Sequence, residues 1–222
     1  MPSSRQIPLT FPETALSFED MTLTDANRGV CGAVRKTERW PYHAFCLTGP
    51  MGSGLTTIAK AWAGERDAEY LNAKTATKKQ IQALSQKADG DLVIDDVDGL
   101  DDAQTLLFIL SAIERNQNVI LLTAHTPPSH WVFQSPDLNS RLKSAPLAEV
   151  PAPDEELMRA RLRRACARSY LDLPNVVEDY LVTRLGLDYS QIEQSAELLA
   201  GATGDRPLTI PLAREILGDS PV

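Results

Sequence analysis

The chain predicts an α/β fold in which a parallel sheet lies between helices, followed by a small all-helical part. Three observations carry that prediction. Short apolar runs (Ala44-Phe45-Cys46-Leu47-Thr48, Leu92-Val93-Ile94 and residues 119–123) lack the polar alternation of a half-exposed strand. Each run is followed by a helical pattern, as a parallel sheet covered on both faces requires. After Pro151-Ala152-Pro153 the apolar runs stop and only helical patterns remain.

Taken in order, residues 1–17 carry Pro2, Pro8 and Pro12 among scattered apolar residues and read as an extended tail. Residues 25–36 predict a helix, with Thr24 or Asp25 as N-cap and Ala26, Val30, Ala33 and Val34 on one stripe. The run from Ala44 ends in the glycine-rich Gly49-Pro50-Met51-Gly52-Ser53-Gly54. A helix over 56–63 follows, with Gly64 placed to end it. Glu69-Tyr70-Leu71 is a candidate strand and 77–88 a helix. Leu92-Val93-Ile94 reads as a buried strand entering acidic residues, 101–116 as a helix and 119–123 as another buried strand. Four helices are predicted beyond the Pro-Ala-Pro break, over 154–170, 175–185, 190–200 and 211–217. Thr209 is a plausible N-cap of the last and Gly218 its C-cap. The division that follows is a tail at 1–17, an α/β base at 18–151 and a helical lid at 152–222.

A chain of 222 residues, 43% hydrophobic and 23% charged, can bury a proper core without disulfide or metal staples. Its 22 basic and 30 acidic residues leave a net charge of −8. Proteins that grip nucleic acid through its phosphates usually carry the opposite sign, so direct sequence-specific DNA binding is not expected. Cys31, Cys46 and Cys166 lack C-x-x-C spacing, which indicates neither a disulfide framework nor a zinc site. The longest wholly apolar run, residues 106–110, is far too short to span a bilayer, and no signal peptide is evident. The expectation is a soluble cytoplasmic protein without a membrane partner.

Gly49-Pro50-Met51-Gly52-Ser53-Gly54-Leu55-Thr56 fits the phosphate-loop pattern G-x-x-x-x-G-K-[ST] at every fixed position except Leu55, which stands where the lysine belongs. The glycines let backbone N–H groups turn toward phosphate, and the following helix adds its positive N-terminal end. Gly49, Gly52, Ser53, Gly54, Leu55, Thr56 and Thr57 are therefore candidate nucleotide-binding residues for ADP or ATP. Leu55, however, puts no cation between the β- and γ-phosphates. A bare glycine loop is also a tight strand-to-helix turn, and both readings stay open. Downstream, Leu92-Val93-Ile94-Asp95-Asp96 delivers carboxylates at the end of an apolar strand, the Walker B arrangement. Thr56 and Asp95 are the candidate Mg²⁺ residues if nucleotide is bound, and Asp96 sits where a water-polarising acid is wanted. The alternative is an acidic helix N-terminus, since Asp98, Asp101 and Asp102 also favour a helix dipole.

The glycine loop, Ile94-Asp95-Asp96, residues 121–128, Pro136-Asp137-Leu138-Asn139-Ser140-Arg141-Leu142 and Arg206-Pro207-Leu208-Thr209-Ile210 run in this order. Together, over about residues 5–218, they resemble the AAA+ module of the bacterial replication initiator DnaA, and more closely the short Hda-type regulators that inactivate DnaA. The sequence ends after the lid, where an initiator continues into a helix-turn-helix domain; this and the acidic charge favour the Hda-type reading. The resemblance makes 123–125 a sensor 1 segment and Arg141 an arginine finger acting in trans on a neighbour's phosphates. The competing reading of Arg141 is a helix-surface arginine. Ser190 falls where the family carries a sensor 2 arginine. In the tail, Gln6-Ile7-Pro8-Leu9-Thr10-Phe11 fits the Q-x-x-L-x-F pattern of sliding-clamp peptides, with Gln6, Leu9 and Phe11 as partner-binding residues.

The resemblance thus implies a regulatory adaptor that binds the DNA polymerase III sliding clamp and promotes hydrolysis of ATP on DnaA, with no independent ATPase activity. Homo-oligomer formation stays open. The alternatives are an autonomous nucleotide-dependent AAA+ ATPase or loader, and a degenerate AAA+ interaction module without nucleotide. Arg159, Arg161, Arg163, Arg164 and Arg168 read as a solvated or salt-bridged basic helix face rather than a DNA contact. His43, His125 and His130 lack metal-ligand spacing, and Trp40, Trp62 and Trp131 read as packing residues.

Overall fold

The structure, a computed structural model, describes residues 17–218 other than 88, 101, 132, 134, 204 and 205. Five parallel strands form one sheet: β1 (Ala44–Thr48), β2 (Glu69–Asn72), β3 (Leu92–Asp95), β4 (Ile120–Ala124) and β5 (Leu147–Glu149), in the order β2-β3-β4-β1-β5. The central pairing β1–β4 runs in register from Ala44 opposite Ile120 to Thr48 opposite Ala124. β1, β3 and β4 are buried along their whole length. Alternate side chains of each feed two separate cores, which explains the unbroken apolar runs. Phe45, Leu47, Val93 and Leu121 face one core, whereas Ala44, Cys46, Leu92, Ile94, Ile120 and Leu122 face the other.

The first core is closed by α1 (Asp25–Arg35) and α2 (Leu55–Arg66), together with the C-terminal helices. The second is closed by α3 (Lys78–Lys87), α4 (Ala103–Arg115) and α5 (Pro136–Ser144). Helix starts follow local chemistry. Asp102 accepts the Thr105 N–H at 3.0 Å at the head of α4, and Ser135 accepts from Leu138 at the head of α5. The helical C-terminal part consists of α6 (Glu155–Arg168), α7 (Asn175–Leu185), α8 (Tyr189–Thr203) and α9 (Ile210–Leu217). Asp154 joins it to the sheet region: its carboxylate caps α6 through Leu157 N–H at 2.8 Å and also accepts Ala26 N–H of α1 at 3.1 Å.

One expectation needs correction and two elements were missed. Gly64 does not end α2. The helix continues to Arg66, whose guanidinium pairs with Asp91 at 2.6 Å and lies over the Trp62 ring, and Asp67 takes the left-handed terminal conformation instead, at φ 51°. β5 and α5 carry little sequence signal: β5 has three residues, none buried, and is recruited only by pairing with β1. The three tryptophans are buried, Trp40 stacking on Trp62 at 5.5 Å, and Cys31, Cys46 and Cys166 are buried free thiols.

Candidate functional site

Because all strands are parallel, the loops after β1, β3 and β4 emerge at one end of the sheet, where open α/β sheets place their ligand crevices. There the glycine loop, Lys74, Asp96, His125 and Arg161, Arg164 and Arg168 of α6 line a cavity of about 590 Å³. The loop needs its glycines. Gly54 is left-handed at φ 95°, and a Cβ on it would sit 2.6 Å from Arg161 Nη2. Gly52, at φ 77°, backs onto the Tyr189 carbonyl, which a Cβ would meet at 3.1 Å.

Of the predicted nucleotide-binding residues, Gly52, Ser53, Gly54, Leu55, Thr56 and Thr57 line this cavity; Gly49 does not, but its carbonyl lies 3.1 Å from Nδ1 of the cavity residue His125. Leu55 is only 5% exposed and joins the core under the sheet. The lysine position is thus used for packing. Ser53 is buried and its Oγ has no hydrogen-bond partner.

Thr56 and Asp95 are brought together: Thr56 Oγ1 donates to Asp95 Oδ2 at 2.8 Å. The same oxygen accepts from Tyr70 Oη at 2.6 Å and Asn72 Nδ2 at 3.2 Å, while Oδ1 takes a short bond from Thr123 Oγ1. Burial and the Asp95 hydrogen bond together push the Tyr70 phenol well above its ordinary value, so it remains a donor. Among the described residues no three His, Cys, Asp or Glu side chains cluster as a metal site. The adjacent hydroxyl and carboxylate suit the water-rich, phosphate-completed coordination that Mg²⁺ takes beside nucleotides.

Asp96 follows in left-handed conformation at φ 58°. It accepts from Lys74 Nζ at 2.9 Å and Asn72 Nδ2 at 3.0 Å, and His125 Nε2 lies 3.4 Å away. Burial alone would raise this carboxyl, but the Lys74 and Asn72 hydrogen bonds and the neighbouring positive charges hold it below the ordinary value. It is therefore an ionised group already paired to a cation.

Arg141 lies elsewhere. On α5 it lines a smaller apolar cavity with Tyr42, Leu110 and Leu142, and pairs with Glu114 at 3.2 Å and Asp137 at 3.7 Å. It is not among the residues of the glycine-loop cavity. Ser190 is exposed and bonded to Asp188 through both its N–H and its hydroxyl. Gln6, Leu9 and Phe11 fall outside the described residues.

The α6 arginines divide. Arg159 pairs with Glu155 and Asp179, Arg163 with buried Glu178, and Arg168 with Glu193, as a salt-bridged face predicts. Arg161 departs from that reading: it turns onto the glycine loop, donating to the Gly52 and Ser53 carbonyls, the latter at 2.8 Å, with the Tyr189 ring 4.6 Å away. Arg161, Lys74, Tyr70 and Asn72 were missed because nothing local separates them from ordinary surface and strand residues.

No protein-family model matches the chain. It is 25% identical over 244 aligned residues to the chromosomal replication initiator protein DnaA of Campylobacter jejuni, covering 95% of this chain and 54% of that protein. The chain thus spans about half the length of the curated DnaA proteins it matches. Among solved structures, domain III of Thermotoga maritima DnaA superposes with a TM-score of 0.75 at 17% identity, covering 95% of this chain and 98% of that one. AMPPCP-bound DnaA from Aquifex aeolicus gives 0.64 at 19% identity, over 83% and 64%. With five parallel strands between helices and a helical C-terminal part, the chain carries a DnaA-related AAA+ fold.

Proposed function

We propose that this protein is a DnaA-related AAA+ regulatory adaptor that promotes hydrolysis of ATP on DnaA, limiting replication initiation, while held on the DNA polymerase III sliding clamp. One observation carries the reading: the chain separates its two candidate functions. Its glycine-loop cavity has a buried leucine at the lysine position, and Asp96 there is already paired to Lys74. Arg141 stands apart on α5 with its side chain 36% exposed. A guanidinium so placed suits insertion toward a neighbour's phosphates, where fingers of this kind act. The AMPPCP in a structural neighbour supports ADP or ATP as ligand of the glycine loop, where Thr56 and Asp95 would hold Mg²⁺ and the metal would neutralise phosphate charge. Gln6, Leu9 and Phe11 would dock the tail on the clamp as an extended peptide.

The test is single-turnover hydrolysis of DnaA-bound ATP with this protein and DNA-loaded clamp. Wild type accelerates hydrolysis. Arg141→Ala folds normally and loses the acceleration, and Leu9→Ala with Phe11→Ala loses the dependence on clamp. Full acceleration by Arg141→Ala would reject the finger, and steady ATP turnover by this protein alone, abolished by Asp95→Asn, would reject the adaptor reading in favour of an autonomous ATPase.

A further inference from the structure

Four cations border the glycine-loop cavity, and their partners distinguish them. Lys74 is neutralised by Asp96 and Arg168 by Glu193, while Arg164 reaches outward to the Asp20 carbonyl at 3.4 Å. Arg161 alone among them bonds the loop, and it does so through two neutral carbonyls, with no carboxylate within ion-pair distance among the described residues. Carbonyls are weaker partners for a guanidinium than anionic oxygens, which it grips in a two-pronged fork. Burial in the lid–loop cleft, the largest influence on its titration, disfavours the charged guanidinium and lowers its pKa, so the cation sits there incompletely compensated.

A second, independent feature points to a ligand. Ser53 is 3% exposed, its Oγ is without a partner, and it lines the same cavity. A buried hydroxyl left unbonded is costly unless something completes it.

We propose that Arg161 provides the phosphate-binding cation that the loop lacks at Leu55: a di- or triphosphate entering the loop takes over this guanidinium from the Gly52 and Ser53 carbonyls and so fastens α6 to the loop. The inference rests on the reading of the loop as a phosphate site. Because Arg161 belongs to the helical part and the loop to the sheet part, occupancy of the loop governs how firmly the two are joined.

The experiment is isothermal titration of the full chain with ADP and with inorganic pyrophosphate at two salt concentrations. Arg161→Gln keeps donors for the loop carbonyls but removes the charge, and Arg161→Lys keeps the charge; circular dichroism checks that both fold. The expected result is weakening of both ligands by about 10- to 100-fold in Arg161→Gln, the loss of a charge-assisted hydrogen-bonded pair. Arg161→Lys stays closer to wild type, and the salt dependence becomes shallower in the Gln variant. Wild-type affinity in Arg161→Gln, with wild type binding well, overturns the role of Arg161 and leaves the phosphate site standing. Absence of binding of either ligand to wild type overturns the phosphate site and the proposal together.

Discussion

Replacing Thr123 by valine tests a fully buried polar contact at the C-terminal end of the central strand β4. Thr123 is 0% exposed; its hydroxyl donates to Asp95 Oδ1 and accepts the Asp96 N–H at 3.1 Å. Valine fills nearly the same volume, so the cavity term is small and the loss is electrostatic. Thr56, Tyr70 and Asn72 all serve Asp95 Oδ2, so the variant leaves Oδ1 bare in a residue only 1% exposed. A hydrogen bond to a charged group contributes about 1.5–3 kcal/mol and the orphaned N–H adds about 1 kcal/mol, giving a loss of roughly 2–4 kcal/mol. For a chain of this size that lowers Tm by about 5–15 °C. Urea unfolding and thermal melts of Thr123→Val, beside Thr123→Ser at about 1 kcal/mol for one buried methyl group, measure it. A double-mutant cycle with Asp95→Asn should return a coupling of about 1–2 kcal/mol. A valine variant within ~0.5 kcal/mol of wild type, or less destabilised than the serine variant, refutes the argument.

Leu55→Ala should cost about 2–4 kcal/mol in chemical denaturation, as a 5%-exposed core leucine does; a loss below ~1 kcal/mol would mean that the side chain is not a packing residue. Stability should also fall in acid. Asp96 is held low as described; Thr105 hydrogen bonds lower Asp102; and for Asp154, burial opposes the shift but the hydrogen bonds from the Leu157 and Ala26 N–H groups help outweigh it. Their folded-state pKa values lie below the ordinary 3.8, so their stabilisation is complete above about pH 4 and is lost as the pH drops through the folded values. Melting midpoints from pH 6 to pH 3 should show this limb, and Asp96→Asn should flatten part of it; an unchanged slope in that variant would remove Asp96 from the explanation.

The strands β1, β3 and β4 and the helices between them were legible because both faces of a parallel sheet are covered, so burial imprints itself on consecutive residues. The glycine loop was legible from spacing alone, and so was the missing lysine at Leu55. Where Leu55 points was not: only the packing of α2 on the sheet puts it in the core. The same limit hid β5, three residues of which none is buried, too short to leave a pattern and a strand only because β1 offers an open edge. It also hid Arg161, one of five arginines on α6 that look alike in sequence. Periodicity records which face of an element is buried. Which side chain on that face reaches a loop more than a hundred residues away depends on how α6 crosses the sheet end, a long-range geometry that no local pattern encodes.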